Sequence, residues 1–360
     1  MKVRIAVVAA VLALVLSTSV FAATVKYTMV DLGTLGGASS EAYGVNNSGY
    51  VVGYSSNGTL PRAFIYKPGI GMQDLGTTAG SATSARAINN AGQITGVDSN
   101  CAFRYTPGVG FQNLGTLRPY TGSCGYGINS DGHVTGTGMI GAADTTPFLQ
   151  IGAGQMTSLG LLGSYAQAYG INSSDMVVGI YAEPSGSYHR QAFYWTSQTG
   201  IQPMVTTNGY EAQAFAVNDS CQVTGWLGDS GYIQHAFVWQ NGQYTRIGSL
   251  MGSFGYSVGR GINSSGQIVG ESVWSFSANT NHAFLYTPGA GMTDLGALVS
   301  GYSTIATSIS DNGYIAGYGY VNSTTRHAVM WVPTTVPEPS ALLALTTGLG
   351  LLGLPILRRR

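Results

Sequence analysis

The stretch that decides the fold covers residues 261–296. It reads G-I-N-S-S-G-Q-I-V-G, then a variable loop, then H-A-F-L-Y-T-P-G-A-G-M-T-D-L-G. Seven versions of this unit follow one another along the chain, and their polar turns begin 43, 40, 43, 46, 45 and 47 residues apart. A period in this range is typical of propeller blades that contain four strands each.

Each repeat predicts four short strands. Asn, Asp and Ser fold their side chains onto the local backbone, so N-S-S-G predicts a tight turn between the first two strands. Before the turn, small residues two positions apart, such as Gly259 and Gly261, recur in every copy. Because residues two apart share one face of a strand, a face without bulk predicts crowding. We therefore assign the strand before the turn to the centre of a ring.

The two ends of the repeat array predict how the ring closes. The seventh repeat stops at Val332 and Pro333 with three strands, and a matching fourth strand is found at residues 27–33. An open array needs capping units at its ends, and we identify none. The sequence therefore predicts an all-β fold: a seven-bladed β-propeller of four-stranded blades closed by the N-terminal strand. A β-solenoid is the alternative.

The composition agrees with this fold class and excludes one class of partner. Only 8% of the 360 residues are charged, and 53 are Gly, which suits an all-β protein rich in tight turns. The formal net charge is zero, but five of the 15 basic residues lie at the two ends, against 15 acidic residues in all. No basic stripe is left to bind a phosphate backbone, so we expect no nucleic-acid partner.

Residues 1–22 have the three parts of a secretory signal peptide. Lys2 and Arg4 precede an apolar core at residues 5–16, and a small-residue cleavage pattern ends at Ala22. We expect cleavage there, which predicts that the body of the protein lies outside the cytoplasm.

Residues 336–360 have the form of a sorting tail. Pro337, Glu338 and Pro339 precede an apolar run at residues 341–357, and three arginines follow it. The run is 17 residues long, at the short edge of what spans a bilayer of about 30 Å. The basic end favours a C-terminus that stays in the cytoplasm.

This tail resembles the PEP-CTERM sorting signal of Gram-negative bacteria. The resemblance implies recognition by an exosortase, a membrane cysteine protease, and a location at the cell surface or in the extracellular matrix. A permanent membrane anchor is the alternative. The repeats, over residues 23–335, resemble the HAF family of extracellular bacterial proteins, and His282, Ala283 and Phe284 carry its signature. That family has no well-defined activity to carry over.

Three histidines recur at one position of the repeat. His235, His282 and His327 each open a third strand. A zinc site needs its nitrogen ligands within about 2.1 Å of one ion, whereas third strands of neighbouring blades diverge from the axis. We therefore predict no metal site and no cofactor, and assign the histidines to a polar rim.

The three cysteines predict one disulfide. An odd count in an exported protein suggests one bridge and one free thiol. Cys101 opens a third strand and Cys124 precedes a first strand, so both are expected on one face of the ring, within the roughly 5.5 Å Cα spacing that a bridge needs. We predict a Cys101–Cys124 disulfide and an isolated Cys221.

Five aromatic residues near the ends of second strands predict a carbohydrate-binding face, because flat rings stack on the apolar faces of sugars. Ordinary loop packing is the alternative, since Tyr and Trp are common in loops. The five are Tyr54, Tyr181, Trp226, Trp274 and Tyr318.

The main functional prediction is a non-catalytic cell-surface or matrix protein that contacts extracellular polysaccharide or another surface protein through its variable loops. The alternative is a polysaccharide-active enzyme, a hydrolase or lyase. Glycoside hydrolysis needs two carboxylates about 5–10 Å apart, and the loops of different blades offer four: Asp98, Glu183, Asp229 and Glu271.

Overall fold

The computed structural model describes most of the repeat region. The described residues are 24–78, 80–140, 144–163, 165–183, 190–204, 210–231, 233–252 and 255–336. Tyr27–Pro333 form one compact unit, and the second unit consists of Met1–Lys26 and Thr334–Arg360.

The predicted sorting segments lie outside the described residues. These are the signal peptide at 1–22, the Pro337, Glu338 and Pro339 motif, and the apolar run at 341–357. Within the described part of the chain, no helix is long and apolar enough to cross a membrane.

The described residues form seven antiparallel sheets of four strands. Blades one and two are β2 (Ser40–Val45), β3 (Val51–Ser56), β4 (Pro61–Lys67), β5 (Gly71–Asp74) and β6 (Thr83–Ile88), β7 (Ile94–Asp98), β8 (Cys101–Thr106), β9 (Gly110–Gly115). Blades three and four are β10 (Gly122–Ile128), β11 (Val134–Ile140), β12 (Asp144–Gln150), β13 (Met156–Ser158) and β14 (Tyr165–Ile171), β15 (Val177–Ala182), β16 (Arg190–Thr196), β17 (Gly200–Pro203). Blades five and six are β18 (Ala212–Val217), β19 (Val223–Leu227), β20 (His235–Gln240), β21 (Gln243–Arg246) and β22 (Ser257–Ile262), β23 (Ile268–Ser275), β24 (Thr280–Thr287), β25 (Gly291–Asp294). Blade seven is β26 (Thr304–Ile309), β27 (Ile315–Tyr320), β28 (Arg326–Val336) and β1 (Thr24–Asp31).

The blades form a closed ring. The first strand of each blade contacts the first strand of the next, and β26 contacts β2. In blade seven the outermost strand is β1, which pairs with β28, and the Leu32 N–H donates to the Ala328 carbonyl at 2.9 Å. The predicted seven-bladed propeller with N-terminal closure is confirmed, and the solenoid alternative is wrong.

A belt of asparagine side chains joins the blades where the first strands end. Oδ1 of Asn263 accepts hydrogen bonds from the N–H groups of Ser265 and Gln267, at 3.2 and 3.0 Å, which closes its own turn. Its amide group donates to the carbonyl of Ser310 in the next blade, at 3.3 Å. Six turns make this bond to the next blade, from Asn46, Asn89, Asn129, Asn172, Asn218 and Asn263.

Blade seven closes the asparagine belt differently, because Ser310 is too short to reach the next blade. There the Asp311 N–H donates to Oδ1 of Asn47 at 2.9 Å, and the Asn312 amide donates to the Asn47 carbonyl at 2.9 Å. The belt is therefore continuous around the ring.

A glycine in each second strand lets that strand lie against a bulge in the first. The pairing of the two strands shifts register between the two small residues, as between Gly259 and Gly261. A Cβ on the opposing glycine would meet a first-strand carbonyl oxygen at 1.8–2.0 Å. These glycines are Gly53, Gly96, Gly136, Gly179, Gly225, Gly270 and Gly317.

The bulge refines the prediction made from the small residues. The crowding is present, because a Cβ on Gly261 would meet Cα of Ser308 in the next blade at 3.0 Å. The two small residues do not simply alternate along a regular strand, however, because the register shift lies between them.

The Ala-Phe motif of the third strand is part of the scaffold. Phe284 is fully buried, and its counterparts fill the other blades. The Ala283 N–H donates to Oγ1 of Thr304 in the next blade at 3.0 Å, and that hydroxyl donates to the Gly296 carbonyl at 2.6 Å. The repeated Ala-Phe and Leu-Gly motifs therefore meet at one buried hydroxyl.

We expect Gly225→Ala to destabilise the protein by about 3 kcal/mol or more, at the upper end of overpacking effects. Its Cβ would lie 1.8 Å from the Gln213 carbonyl oxygen, so the two strands must separate. Gly228→Ala in the same blade is the matched control, since its nearest contact is at 3.5 Å. Urea unfolding measures both; equal midpoints for the two variants would contradict the close approach.

We expect Cys221→Gly to stabilise the protein by about 0.5–1 kcal/mol. Cys221 has φ 58° at a turn position where five other blades have Gly. The left-handed conformation costs a non-glycine residue about 1–2 kcal/mol, which the glycine variant would recover. The greater freedom of Gly in the unfolded chain offsets about 0.5–1 kcal/mol of this recovered stability. Cys221→Ser keeps the strain and should leave the unfolding free energy nearly unchanged. A serine variant as stable as the glycine variant would show that the thiol, not the backbone, is responsible.

Candidate functional site

The bulge residue of each first strand lines the central channel. It stands between the two small residues, and the register shift places it in all seven blades. Together with Tyr318, these residues line a cavity of about 570 Å³. They are Tyr43, Arg86, Tyr126, Tyr169, Phe215, Arg260 and Thr307. The repeat pattern drew attention to the small residues on either side and not to these variable positions.

One side of the channel is an aromatic wall contributed by blades three to five. The rings of Tyr126 and Tyr169 meet edge-on with centroids 5.3 Å apart, and those of Tyr169 and Phe215 do so at 5.5 Å. These contacts hold the rings in fixed orientations, so the wall offers a continuous apolar surface to a ligand.

Glu41 organises the opposite side of the channel. Its side chain is only 7% exposed. One oxygen accepts a hydrogen bond from the Tyr43 hydroxyl at 2.8 Å; the other accepts from the Tyr54 hydroxyl and from Nε of Arg326, both at 2.9 Å. The guanidinium carbon of Arg86 lies 4.5 Å from the centre of the Tyr43 ring. Tyr43 thus has a proton acceptor behind it and a cation on its face.

Glu271 holds a second arginine in the channel wall. Nη2 of Arg260 donates to its carboxylate at 2.6 Å, and the Tyr256 hydroxyl donates to it at 3.2 Å. The pairing keeps Arg260 charged and fixed, because a carboxylate and a guanidinium form strong hydrogen bonds when both are ionised.

Tyr318 lies in the field of both glutamate–arginine pairs. Burial raises its pKa to about 12; Arg260 and Arg326 lower it, and Glu271 and Glu41 raise it further. The phenol therefore keeps its proton at neutral pH and is a hydrogen-bond donor inside the cavity.

Of the five aromatic residues predicted to bind carbohydrate, Tyr318 lines the channel, and Tyr54 donates to Glu41 behind the channel wall. Trp226 has the same strand position, directly after the second-strand glycine, but is only 6% exposed. Tyr181 is buried in a core cluster between blades. Trp274 is 47% exposed and stacks on His282, with centroids 4.7 Å apart. The five therefore do not form one surface.

Of the four loop carboxylates, only Glu271 contacts a residue of the channel wall, Arg260. Asp98 is buried and accepts hydrogen bonds from Thr77 and Thr78. Burial by itself would raise the pKa of Asp98, but these hydrogen bonds outweigh it and lower the pKa. Asp229 pairs with His235, and Glu183 is half-buried just beyond β15. The second channel carboxylate, Glu41, was not among the sequence candidates.

The three repeated histidines each pair with an aspartate. His235 lies 2.8 Å from Asp229, His282 lies 3.0 Å from Asp294, and His327 lies 2.9 Å from Asp31. Across the described ranges, no group of three or more His, Cys, Asp or Glu side chains has a geometry that holds a metal ion.

The predicted Cys101–Cys124 disulfide is wrong, because all three cysteines are free thiols. In β10 it is Ser123 that faces blade two, where its Oγ accepts a hydrogen bond from the Ala102 N–H at 2.8 Å. Successive side chains of a strand point to opposite sides, so Cys124 points away from Cys101. Its thiol donates instead to the Gly125 carbonyl at 3.8 Å.

The comparisons with known proteins support the fold. No known protein-family profile matches the chain, and no curated protein matches its sequence. Among solved structures it is similar to virginiamycin B lyase from Staphylococcus aureus, with 12% identity and a TM-score of 0.57 over 86% of this chain and 100% of that one. It is also similar to the β-propeller domain of the Trilobed protease from Pyrococcus furiosus, with 9% identity and a TM-score of 0.57 over 82% of this chain and 98% of that one.

A puromycin hydrolase is a third similar structure, with 11% identity and a TM-score of 0.58 over 86% of this chain. The match covers 55% of the hydrolase, so the chain spans about half of its length. These identities show a shared fold alone.

The comparisons contradict the prediction that the protein is not an enzyme. The solved propellers that it resembles include puromycin hydrolases and an acylaminoacyl peptidase, so the comparisons point to a fold that enzymes use. What this chain does with the fold has to be argued from its own channel residues.

We expect three titratable thiols when the protein is denatured without reductant. In the folded protein the exposed Cys221 should react first with a thiol reagent. Cys124 should not react, because burial raises the pKa of its thiol. A count of one thiol in the denatured protein would show that the Cys101–Cys124 bridge forms after all.

Proposed function

We propose that the protein is an exported enzyme that cleaves an extracellular polysaccharide in its central channel. The observation that carries the proposal is the two-sided wall of that channel. Rings of blades three to five stand on one side, and arginines and phenols of blades six, seven, one and two stand on the other. A sugar ring has an apolar face that stacks on aromatic rings, and hydroxyls that take hydrogen bonds from such donors.

Tyr43 and Glu41 are the proposed base of the reaction. Burial raises the pKa of Tyr43 above its usual value, although Arg86 lowers it, so the phenol is protonated at rest. A protonated phenol needs an adjacent acceptor before it takes a proton from another molecule. Glu41 supplies that acceptor at 2.8 Å, and the Arg86 charge stabilises the phenolate that forms.

Tyr318 is the proposed acid. With a pKa raised to about 12, chiefly by burial, it carries a proton throughout the physiological range. A positioned side chain that donates a proton to the leaving oxygen contributes about 10²–10⁴-fold to a rate. Glu271 takes part indirectly, because it fixes Arg260 in the wall beside this phenol.

The location of this activity rests on the sequence. The signal at residues 1–22 and the tail with Pro337, Glu338 and Pro339 support export and sorting by an exosortase. We propose the cell surface or extracellular matrix of a Gram-negative bacterium as the place where the enzyme meets its substrate.

We expect the full chain to release new chain ends from at least one member of a panel of neutral and acidic bacterial polysaccharides. Tyr43→Phe should lower kcat about 10²-fold or more, with an unchanged circular dichroism spectrum. Glu41→Gln should do the same, because the phenol then loses its proton acceptor. Tyr105→Phe, on a third strand in blade two, is the matched control and should keep full activity. Cleavage that survives Tyr43→Phe, or no cleavage of any polysaccharide, would refute the proposal.

A further inference from the structure

We infer that the channel recognises the carboxylate of a uronic acid through Arg86, and that the polysaccharide is cleaved by β-elimination. This inference rests on the proposed function and names its substrate class and reaction. The observations that carry it are the unpaired charge of Arg86, the unpartnered polar atoms near it, and its position beside Tyr43.

Arg86 is the arginine of the channel whose charge is not neutralised by a neighbouring residue. Arg260 pairs with Glu271 at 2.6 Å, and Arg326 pairs with Glu41 at 2.9 Å. Among the carboxylates of the described ranges, none forms an ion pair with Arg86. Three arginines against two glutamates give this region a positive balance, which favours an anionic ligand.

Buried polar atoms without hydrogen-bond partners occur on Arg86 itself, on Ser84 two residues before it and on Thr137 in the next blade. Nε of Arg86, Oγ of Ser84 and Oγ1 of Thr137 are buried and have none among the described residues. Ser84 has the same strand position as Glu41, whose side chain bonds to the channel residue two places along. Thr137 lies opposite Cys124 in blade three. Buried polar groups left unpaired cost about 1–3 kcal/mol each, so the protein does not fully satisfy the Arg86 guanidinium.

Arg86 lies close to Tyr43, so an anion bound to Arg86 lies close to the proposed base. Its guanidinium carbon lies 4.5 Å from the centre of the Tyr43 ring. A carboxylate bound to the free edge of that guanidinium therefore lies within one sugar ring of the Tyr43 hydroxyl. A guanidinium forms paired parallel hydrogen bonds with a carboxylate, which fixes the orientation of the sugar.

In a uronic acid the carboxylate is attached to C5, and its neutralisation by Arg86 makes the C5 proton more acidic. Tyr43 removes that proton as its own passes to Glu41, and the electron pair of the C5–H bond forms a C4–C5 double bond. The bond from C4 to its glycosidic oxygen breaks, and Tyr318 gives that oxygen a proton. Glu41 then releases its proton to solvent and Tyr318 takes one from solvent, so the cycle consumes no water and needs no co-reactant.

The test uses the full chain with polygalacturonate, alginate and glucuronan, each beside a version whose carboxyl groups have been reduced to alcohols. We expect at least one acidic polymer to give new reducing ends together with ultraviolet-absorbing unsaturated ends. Its reduced version should react at least about 30-fold more slowly, the factor that corresponds to loss of a buried charge pair.

Arg86→Gln should raise KM for the acidic polymer about 30-fold or more, and Arg86→Lys should restore part of the loss. Arg246→Gln removes the same charge from the exposed part of blade five and should change neither KM nor kcat. Calorimetric titration with a galacturonate trisaccharide should show the same order of affinities among the three variants, independently of turnover.

The outcomes separate the two proposals. Equal cleavage of acidic and reduced polymers, or reducing ends without unsaturated ends, would overturn the inference and leave the proposed function standing. Full activity and full affinity in Arg86→Gln would also overturn it. Cleavage of none of the polymers would refute the proposed function, and the inference with it.

Discussion

The ring depends on the side-chain amide of one asparagine in each blade. Asn218 uses its carbonyl oxygen to close its own turn and its amide group to hold the backbone of the next blade. One short side chain thereby sets both the local geometry of a hairpin and the spacing between sheets. Because its donors and acceptor are all committed and buried, a shift of one blade disturbs its neighbours. The belt therefore holds the seven blades in fixed positions around the axis.

The part of the channel lined by the bulge residues depends on a different constraint. It needs a glycine, which has no side chain, in each second strand. Gly270 lets the second strand approach the bulge of the first, and the bulge turns one residue per blade toward the axis. The scaffold and the candidate site are therefore produced by one backbone feature. In blade six that residue is Arg260, and Glu271 directly follows the glycine and holds it. The two ends of the channel thus have different chemistry although they belong to the same strands.

The repeats made the fold predictable because turn residues, strand periodicity and motif spacing all report on local backbone structure. They did not reveal contacts between blades. The asparagine was assigned a local role because its second bond joins residues 40 or more positions apart, as from Asn46 to Asn89. Tyr43 and Glu41 escaped notice because the bulge breaks the alternation on which strand patterns rely. Cys124 was assigned to a disulfide for the same reason, since the side of a strand that a residue faces depends on its partner strand.

The closure of blade seven has a consequence for how the chain acquires its structure. The Ala328 N–H bonds to Oγ of Ser40, across 288 positions of sequence. Until the last repeat has been made, β1 has no strand to pair with, and an unpaired strand edge invites association with other chains. Contacts this distant in sequence also form slowly. Because the last repeat is synthesised last, the junction of blades seven and one stays open longest and is the part most exposed to association with other chains. Glu41 and Arg326 form their ion pair when this junction closes. Closure of the ring therefore completes the proposed site and removes the open junction at the same time.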